Sequence, residues 1–164
     1  MKNKVVLQLP ISVMMNKNKI QLAALHCLIP LLLGGLLYIL FRSTELRMFK
    51  WFSSFGLDGI ISSTRTNLSE LKYYLPNWTY YSLPDGLWVY AFTSALLIYW
   101  NNETQKVKFW LLIPFTTGIL VEIFQGLKLF PGTFDILDLT FSTLGLLLSK
   151  IIINHKFKEN ETVS

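Results

Sequence analysis

The chain has 164 residues, of which 52% are hydrophobic, with a mean hydropathy of +0.42 and a formal net charge of +5. An ordinary soluble domain of this length is less apolar, so the composition favours a membrane protein. The basic residues are scattered and form no stripe interleaved with stacking aromatics, so the charge does not indicate a nucleic-acid partner.

Four apolar segments approach or reach the roughly 20 residues that a helix needs to cross a bilayer. They are residues 20–41, 84–100, 107–127 and 135–153. The predicted fold class is therefore all-α, a polytopic membrane protein in which one domain forms a bundle of four transmembrane helices.

The first apolar segment follows a basic stretch, residues 1–19, which is predicted to be a cytoplasmic tail. The segment is longer than a signal-peptide core and no A-x-A site follows it, so we expect an uncleaved signal anchor. Cys27 lacks the small preceding residue of a lipidation site, and a single thiol cannot form an internal disulfide. His26 has no nearby partner in sequence and is expected to be a packed, hydrogen-bonded side chain.

Residues 42–83 are predicted to be an outward loop that lies on the membrane surface. Glu45 to Ile61 mixes aromatic and basic residues in a pattern typical of an interfacial helix. Asn67 and Glu70 resemble a capping box that opens a short helix, which Pro76 would close. An aromatic cluster suited to the headgroup region follows, made of Tyr73, Tyr74, Trp78, Tyr80 and Tyr81.

The second span opens with Pro84 and Asp85, residue types that favour a first helical turn. Short links then make the last three spans antiparallel neighbours, and the polar tail, residues 154–164, is expected to be frayed. Gly34, Gly35 and Gly118 are predicted to permit close helix approach.

Basic residues indicate the orientation, because cytoplasmic loops retain them. With both termini inside, nine basic residues are cytoplasmic and six lie outside. We therefore expect both termini to be cytoplasmic.

Four polar residues stand inside or beside the last two apolar segments, where an ionised group is expensive unless it is paired or wetted. Glu122 and Gln125 share one helix face, and Asp135 and Asp138 share another. Their distances from a turn near Phe130 match, so the four groups are predicted to converge.

This cluster has three interpretations. Its oxygens could hold a hard cation, or one protonated carboxyl group could act as a general acid. Alternatively, Asp135 and Asp138 accept the free N–H groups of a helix N-terminus that Thr133 caps, and Glu122 and Gln125 join helices. The residue types do not identify a cofactor or decide whether a metal is bound.

The same residues carry a family resemblance over about the last eighty residues. The chain resembles VanZ-like membrane proteins, whose signature reads E-x-x-Q, then P-x-R, then D-x-x-x-N-x-x-G, with an earlier D-K-x-x-H-F-x-x-F helix. The matching positions are Glu122, Gln125, Pro131, Gly132, Asp138, Gly145, Asp85 and Phe92.

The chain departs from that pattern at its basic and amide positions. Thr133 and Ser142 stand where the family has Arg and Asn, and Gly86 and Val89 replace Lys and His. The candidates for a substitute charge are Arg42, Arg47, Lys50 and Arg65.

The resemblance implies a multi-pass protein of the bacterial cytoplasmic membrane, connected with the cell envelope. We expect an outward-facing pocket that binds or modifies an envelope lipid or lipid-linked headgroup, with Glu122 and Asp138 catalytic in the enzymatic version. The competing expectation is a non-enzymatic accessory subunit that docks a membrane protein. The candidate binding residues are Gln125, Asp135, Asp85 and Thr133.

Overall fold

The computed structural model describes residues 17–100, 104–130 and 133–163, and the side chains of residues 19–100, 108–130 and 133–159. Regular structure in these residues is helical throughout, without a β-strand. The all-α prediction is confirmed for this part of the chain.

The first apolar segment forms one helical rod with a π-helical turn inside it. Helix α1 spans Lys17–Ala23, the π-helical turn spans Ala24–Leu28, and α2 spans Ile29–Phe41. The wide turn ends where the N–H of Ile29 bonds to the carbonyl of Ala24. Pro30 follows directly, and a proline inside a helix has no N–H and crowds the carbonyl four residues earlier. The widened turn accommodates it.

The loop of residues 42–83 contains four short helices, whereas the sequence predicted one interfacial helix and one short helix after it. They are α3 (Arg47–Ser54), α4 (Asp58–Asn67), α5 (Leu71–Tyr74) and α6 (Trp78–Tyr81). A continuous helix over Glu45 to Ile61 was wrong, because Gly56 adopts φ +70° and breaks it.

The predicted capping box in the loop was also wrong. Asn67 is the last residue of α4, and α5 begins at Leu71 without a side-chain cap from Glu70. The aromatic cluster divides as well, since Tyr80 is buried whereas Tyr73 and Tyr74 are exposed.

Three further helices complete the fold: α7 (Leu83–Tyr99), α8 (Thr104–Gly126) and α9 (Ile136–Val163). Helix α9 continues well past residue 153, so the frayed tail was wrong for residues 154–163. An ion pair of 2.8 Å between Lys156 and Glu159 supports this last part.

Within the described part of the chain, three helical segments are long and apolar enough to cross a membrane: Lys19–Phe41, Lys108–Gly126 and Ile136–Glu159. Large apolar side chains are exposed along all three, as expected where lipid replaces water. The chain therefore has the character of a membrane protein.

Helix α7 lies at the centre of the packing, where it contacts α9, α8 and the first span. Its closest approach is to α9, where Gly86 faces Gly145. A Cβ atom at Gly145 would lie 2.3 Å from the carbonyl oxygen of Gly86. Further along the same pair of helices, the hydroxyls of Ser94 and Ser149 form a buried hydrogen bond of 2.9 Å.

The glycines singled out in the sequence have unequal roles. A Cβ atom at Gly34 would lie 2.6 Å from the indole nitrogen of Trp88, so close packing is confirmed there. Nothing lies within 4 Å of a Cβ atom at Gly35, and at Gly118 the nearest atom is 3.8 Å away. The prediction was wrong for Gly35, and Gly118 makes only ordinary contact.

The bundle has two chemically different ends. The end formed by the carboxyl half of α7 and the start of α8 holds a hydrophobic core: Leu22, Leu97, Ile98, Leu111 and Ile153. The opposite end brings together the start of α7, the end of α8 and the start of α9, and there the carboxylates lie.

Candidate functional site

Three carboxylates from three helices interact at this second end. Asp85 opens α7, Glu122 lies near the end of α8, and Asp138 lies in the first turn of α9. Asp85 interacts electrostatically with both Asp138 and Glu122. We call Asp85, Glu122 and Asp138 the carboxylate cluster.

Glu122 is the most deeply buried member of the carboxylate cluster, with 6% of its surface exposed. Its Oε2 accepts a hydrogen bond of 2.8 Å from the backbone N–H of Asp135. In the amide orientation that satisfies Gln125, its nitrogen donates to Oε1 of Glu122 and to the carbonyl oxygen of Thr133, each at 3.2 Å. Glu122 therefore joins the end of α8 to the start of α9.

Asp135 is a capping residue. Its Oδ1 accepts a hydrogen bond of 2.8 Å from the N–H of Leu137, which satisfies one of the free donors of α9. Asp135 supplies this cap instead of Thr133, whose exposed side chain lies outside the carboxylate cluster. The prediction that Asp135 accepts a free N–H group of α9 is therefore confirmed, and the prediction that Thr133 caps this helix was wrong.

Asp138 differs from Asp135 because it has an unsatisfied oxygen. Its Oδ1 is buried without a hydrogen-bond partner among the described residues, and so is the Oγ of the fully buried Ser82. Asp138 interacts with both Ser82 and Glu122. Buried polar atoms are rarely left unpaired unless a water or ligand meets them.

Arg42 is the basic group that acts on all three carboxylates. It directly follows α2. Its Nη2 donates a hydrogen bond of 3.2 Å to the carbonyl oxygen of Tyr81. The guanidinium carbon lies 5.2 Å from the ring centre of Tyr38 and 5.1 Å from that of Tyr81. Its Nε is buried without a partner among the described residues.

Arg65 holds Arg42 in place. The guanidinium of Arg65 donates to the carbonyl oxygens of Ile39 and Arg42, the latter at 2.8 Å, and so covers the end of α2. Of the four basic residues considered in the sequence, Arg42 acts electrostatically on the carboxylate cluster, and Arg65 bonds to the backbone of Arg42.

An apolar groove of about 920 Å³ leads to Asp85. Its walls come from the first span, α7 and α8, with Ser142 contributed by α9. Within the residues that the structure describes, the groove has one charged lining residue, Asp85, and two lining residues that carry hydroxyl groups, Thr117 and Ser142. Representative apolar lining residues are Ala24, Leu28, Phe92, Ala95, Pro114 and Val121.

The remaining candidates have other surroundings. Nδ1 of His26 lies 2.6 Å from the hydroxyl of Tyr90, which fits the predicted packed histidine. Cys27 is a free thiol in the wall of the groove. Among the described residues, no three His, Cys, Asp or Glu side chains are arranged to hold a metal ion. Pro131 and Gly132 lie outside the described residues.

The carboxylates were predicted from the sequence, whereas Ser82 was not predicted as part of the site. Its position three residues before Asp85, at the start of an apolar helix, was the available signal. None of the protein-family models, curated proteins or solved structures compared with this chain matches it.

Proposed function

We propose that this protein is a VanZ-like, four-span protein of the bacterial cytoplasmic membrane that binds an envelope lipid or a lipid-linked headgroup. The carboxylate cluster faces outward and receives the headgroup, while the apolar groove receives a chain. In this proposal Glu122 and Asp138 act as acid and base on the bound headgroup, and Gln125 orients Glu122.

The fourth span in this proposal is α7. Its 17 residues cover about 26 Å, slightly less than a hydrocarbon core of about 30 Å. Helix α6 precedes it with only Ser82 between them, and Ser82 keeps helical dihedral angles. The helical path from Trp78 to Tyr99 is long enough to cross, and α7 is shielded from lipid by its neighbours.

The observation that carries the proposal is the continuity of the groove with Asp85. A purely structural carboxylate would be enclosed by its partners, whereas Asp85 lines an apolar groove in a protein whose surroundings are lipid. Ligand sites are concave, mostly apolar and furnished with a few polar groups, as this one is.

The test fills the groove. Ala95→Phe places a ring in the groove, and Leu147→Phe adds the same ring to an exposed position of α9 outside it. Purified proteins are compared by native mass spectrometry for retained envelope lipid. We expect Ala95→Phe to retain about tenfold less lipid, equivalent to about 1.4 kcal/mol, and Leu147→Phe to match the wild type. Equal retention by all three would contradict lipid binding in the groove.

A second candidate function is a non-enzymatic accessory subunit. The bond from the Asp135 N–H to Glu122 favours it, because that bond fixes α8 against α9 without any ligand. Under this alternative the exposed aromatic residues of the loop dock a membrane protein partner.

A further inference from the structure

The carboxylate cluster carries more negative than positive charge. Three carboxylates interact there with one guanidinium, that of Arg42. An unbalanced charge at membrane depth is costly, so such a site needs an additional cation or protons. Glu122 already receives a backbone N–H and an amide, which leaves Asp85 and Asp138 as the groups that lack compensation.

The unsatisfied atoms favour a cation that donates hydrogen bonds. Oδ1 of Asp138 and Oγ of Ser82 can each accept a hydrogen bond. The two side chains lie close to each other, but neither of these buried atoms makes a hydrogen bond of good geometry in the described part of the chain. An ammonium group donates three hydrogen bonds, so one such group has enough donors for Asp138, Ser82 and Asp85. A metal ion would need a set of ligands that the described residues do not form.

Arg42 adds a complementary feature. Its Nε is a buried donor without a partner in the same set of residues, and a guanidinium is well suited to a phosphate oxygen. The site therefore combines carboxylates with a guanidinium that acts on them electrostatically, and the groove that Asp85 lines is apolar. A ligand that matches all three features has an ammonium group, a phosphate group and a hydrocarbon chain.

We propose that the site binds a zwitterionic phospholipid of the phosphatidylethanolamine class. The primary ammonium group lies at Asp85 and Asp138, the phosphate lies at Arg42, and an acyl chain occupies the groove. This inference rests on the proposed function and names the lipid that the same site would select.

The test is a competition between lipids that differ only in the headgroup. Purified full-length protein is offered equimolar phosphatidylethanolamine, phosphatidylcholine and phosphatidylglycerol, all with palmitoyl and oleoyl chains, and retained lipid is identified by native mass spectrometry. We expect about tenfold preference for phosphatidylethanolamine over phosphatidylglycerol. This ratio corresponds to about 1.4 kcal/mol, the contribution expected of one additional charge-assisted hydrogen bond. Phosphatidylcholine should rank between them, because its methylated cation has charge but no N–H donor.

Two variants assign the preference to the site. Asp85→Asn should bring the ratio close to one, whereas Asp58→Asn, at an exposed position on α4, should keep the wild-type ratio. Ser82→Ala provides a second probe that changes no charge and should weaken the preference for phosphatidylethanolamine over phosphatidylcholine.

The outcomes separate the two proposals. Equal retention of all three lipids by the wild type, or an unchanged ratio in Asp85→Asn, would overturn the headgroup assignment and leave lipid binding intact. Retention of no lipid at all would overturn the proposed function as well.

Discussion

Neighbouring acidic residues in this site have different physical roles. Asp135 and Glu122 are satisfied by backbone N–H groups at the start of α9, so both have a structural explanation. Asp138 lies three residues after Asp135 but keeps a buried, unpaired oxygen. A functional test should therefore separate the charge of each carboxylate from its hydrogen bonds.

Replacing Glu122 by Gln performs that separation. The amide keeps a carbonyl that can accept the Asp135 N–H but removes the charge and proton exchange. If Glu122 acts chemically, Glu122→Gln and Asp138→Asn should each abolish rescue of a deletion strain at unchanged protein abundance, scored by lipid profile or antibiotic susceptibility. The double variant should be little worse than either single one. Full rescue by both variants would favour the accessory subunit.

Lys128 offers a test of local strain. Helix α8 ends in a Schellman motif in which Leu129 N–H bonds to the carbonyl of Phe124, and Lys128 has φ +58°. A side chain in this conformation costs about 1 kcal/mol, so Lys128→Gly should stabilise the protein by about that amount. Thermal unfolding in detergent measures it, with Lys128→Ala as the control that removes the charge but not the strain. A lower melting temperature for Lys128→Gly than for Lys128→Ala would contradict the assignment.

At the scale of elements, the contact between α7 and α9 positions the carboxylate cluster. Gly86 lies one residue after Asp85, and its partner Gly145 lies two helical turns after Asp138. Any side chain at this crossing must move the two helices apart, because each Cβ atom would meet backbone. Gly86 thus lies at the closest contact found between α7 and α9.

Gly145→Ala should therefore be strongly destabilising. An added Cβ would meet the carbonyl oxygen of Gly86 at 2.3 Å, and overpacking of this kind typically costs about 1–3 kcal/mol. Gly35→Ala is the matched control, because it adds the same methyl group to a span helix where no atom lies within 4 Å. Denaturation in detergent should show a loss for Gly145→Ala alone. Equal stability of the two variants would show that α7 and α9 do not pack at these glycines.

At the scale of the whole molecule, the loop and the carboxylate cluster lie at the same end of the bundle. The loop helices lie beside the carboxylate cluster, since α6 and Arg42 border it, whereas the last part of α9 runs past the opposite end. The orientation of the loop is therefore also the orientation of the site.

Single cysteines at Ser63 and Lys158, in a Cys27→Ser background, test that orientation. Both positions are exposed, so access to an impermeant thiol reagent depends on the side of the membrane. Intact cells should label the cysteine at position 63 and not the one at 158, because the flanking basic residues favour cytoplasmic termini. Lysed cells provide the control in which both react. Labelling at 158 alone would invert the topology and turn the site toward the cytoplasm.

The sequence by itself determined the helical class, the apolar segments and the candidate carboxylates. These follow from local properties: the length of an apolar run, the cost of a charge inside it and the spacing of residues on one helix face. The same local signals failed at Gly56, where one backbone angle interrupts a plausible helix, and at Thr133, where the cap belongs to a neighbouring residue.

Only the tertiary structure decided which residues meet. Arg42 is 43 residues from Asp85 and Ser82 is 56 from Asp138 in the sequence, so no periodic pattern connects them. Packing of α7 against α9 through Gly86 and Gly145 brings these groups into one site and leaves the groove beside Asp85. Such contacts depend on the shapes of facing helices, which a linear pattern of apolar and polar residues does not specify.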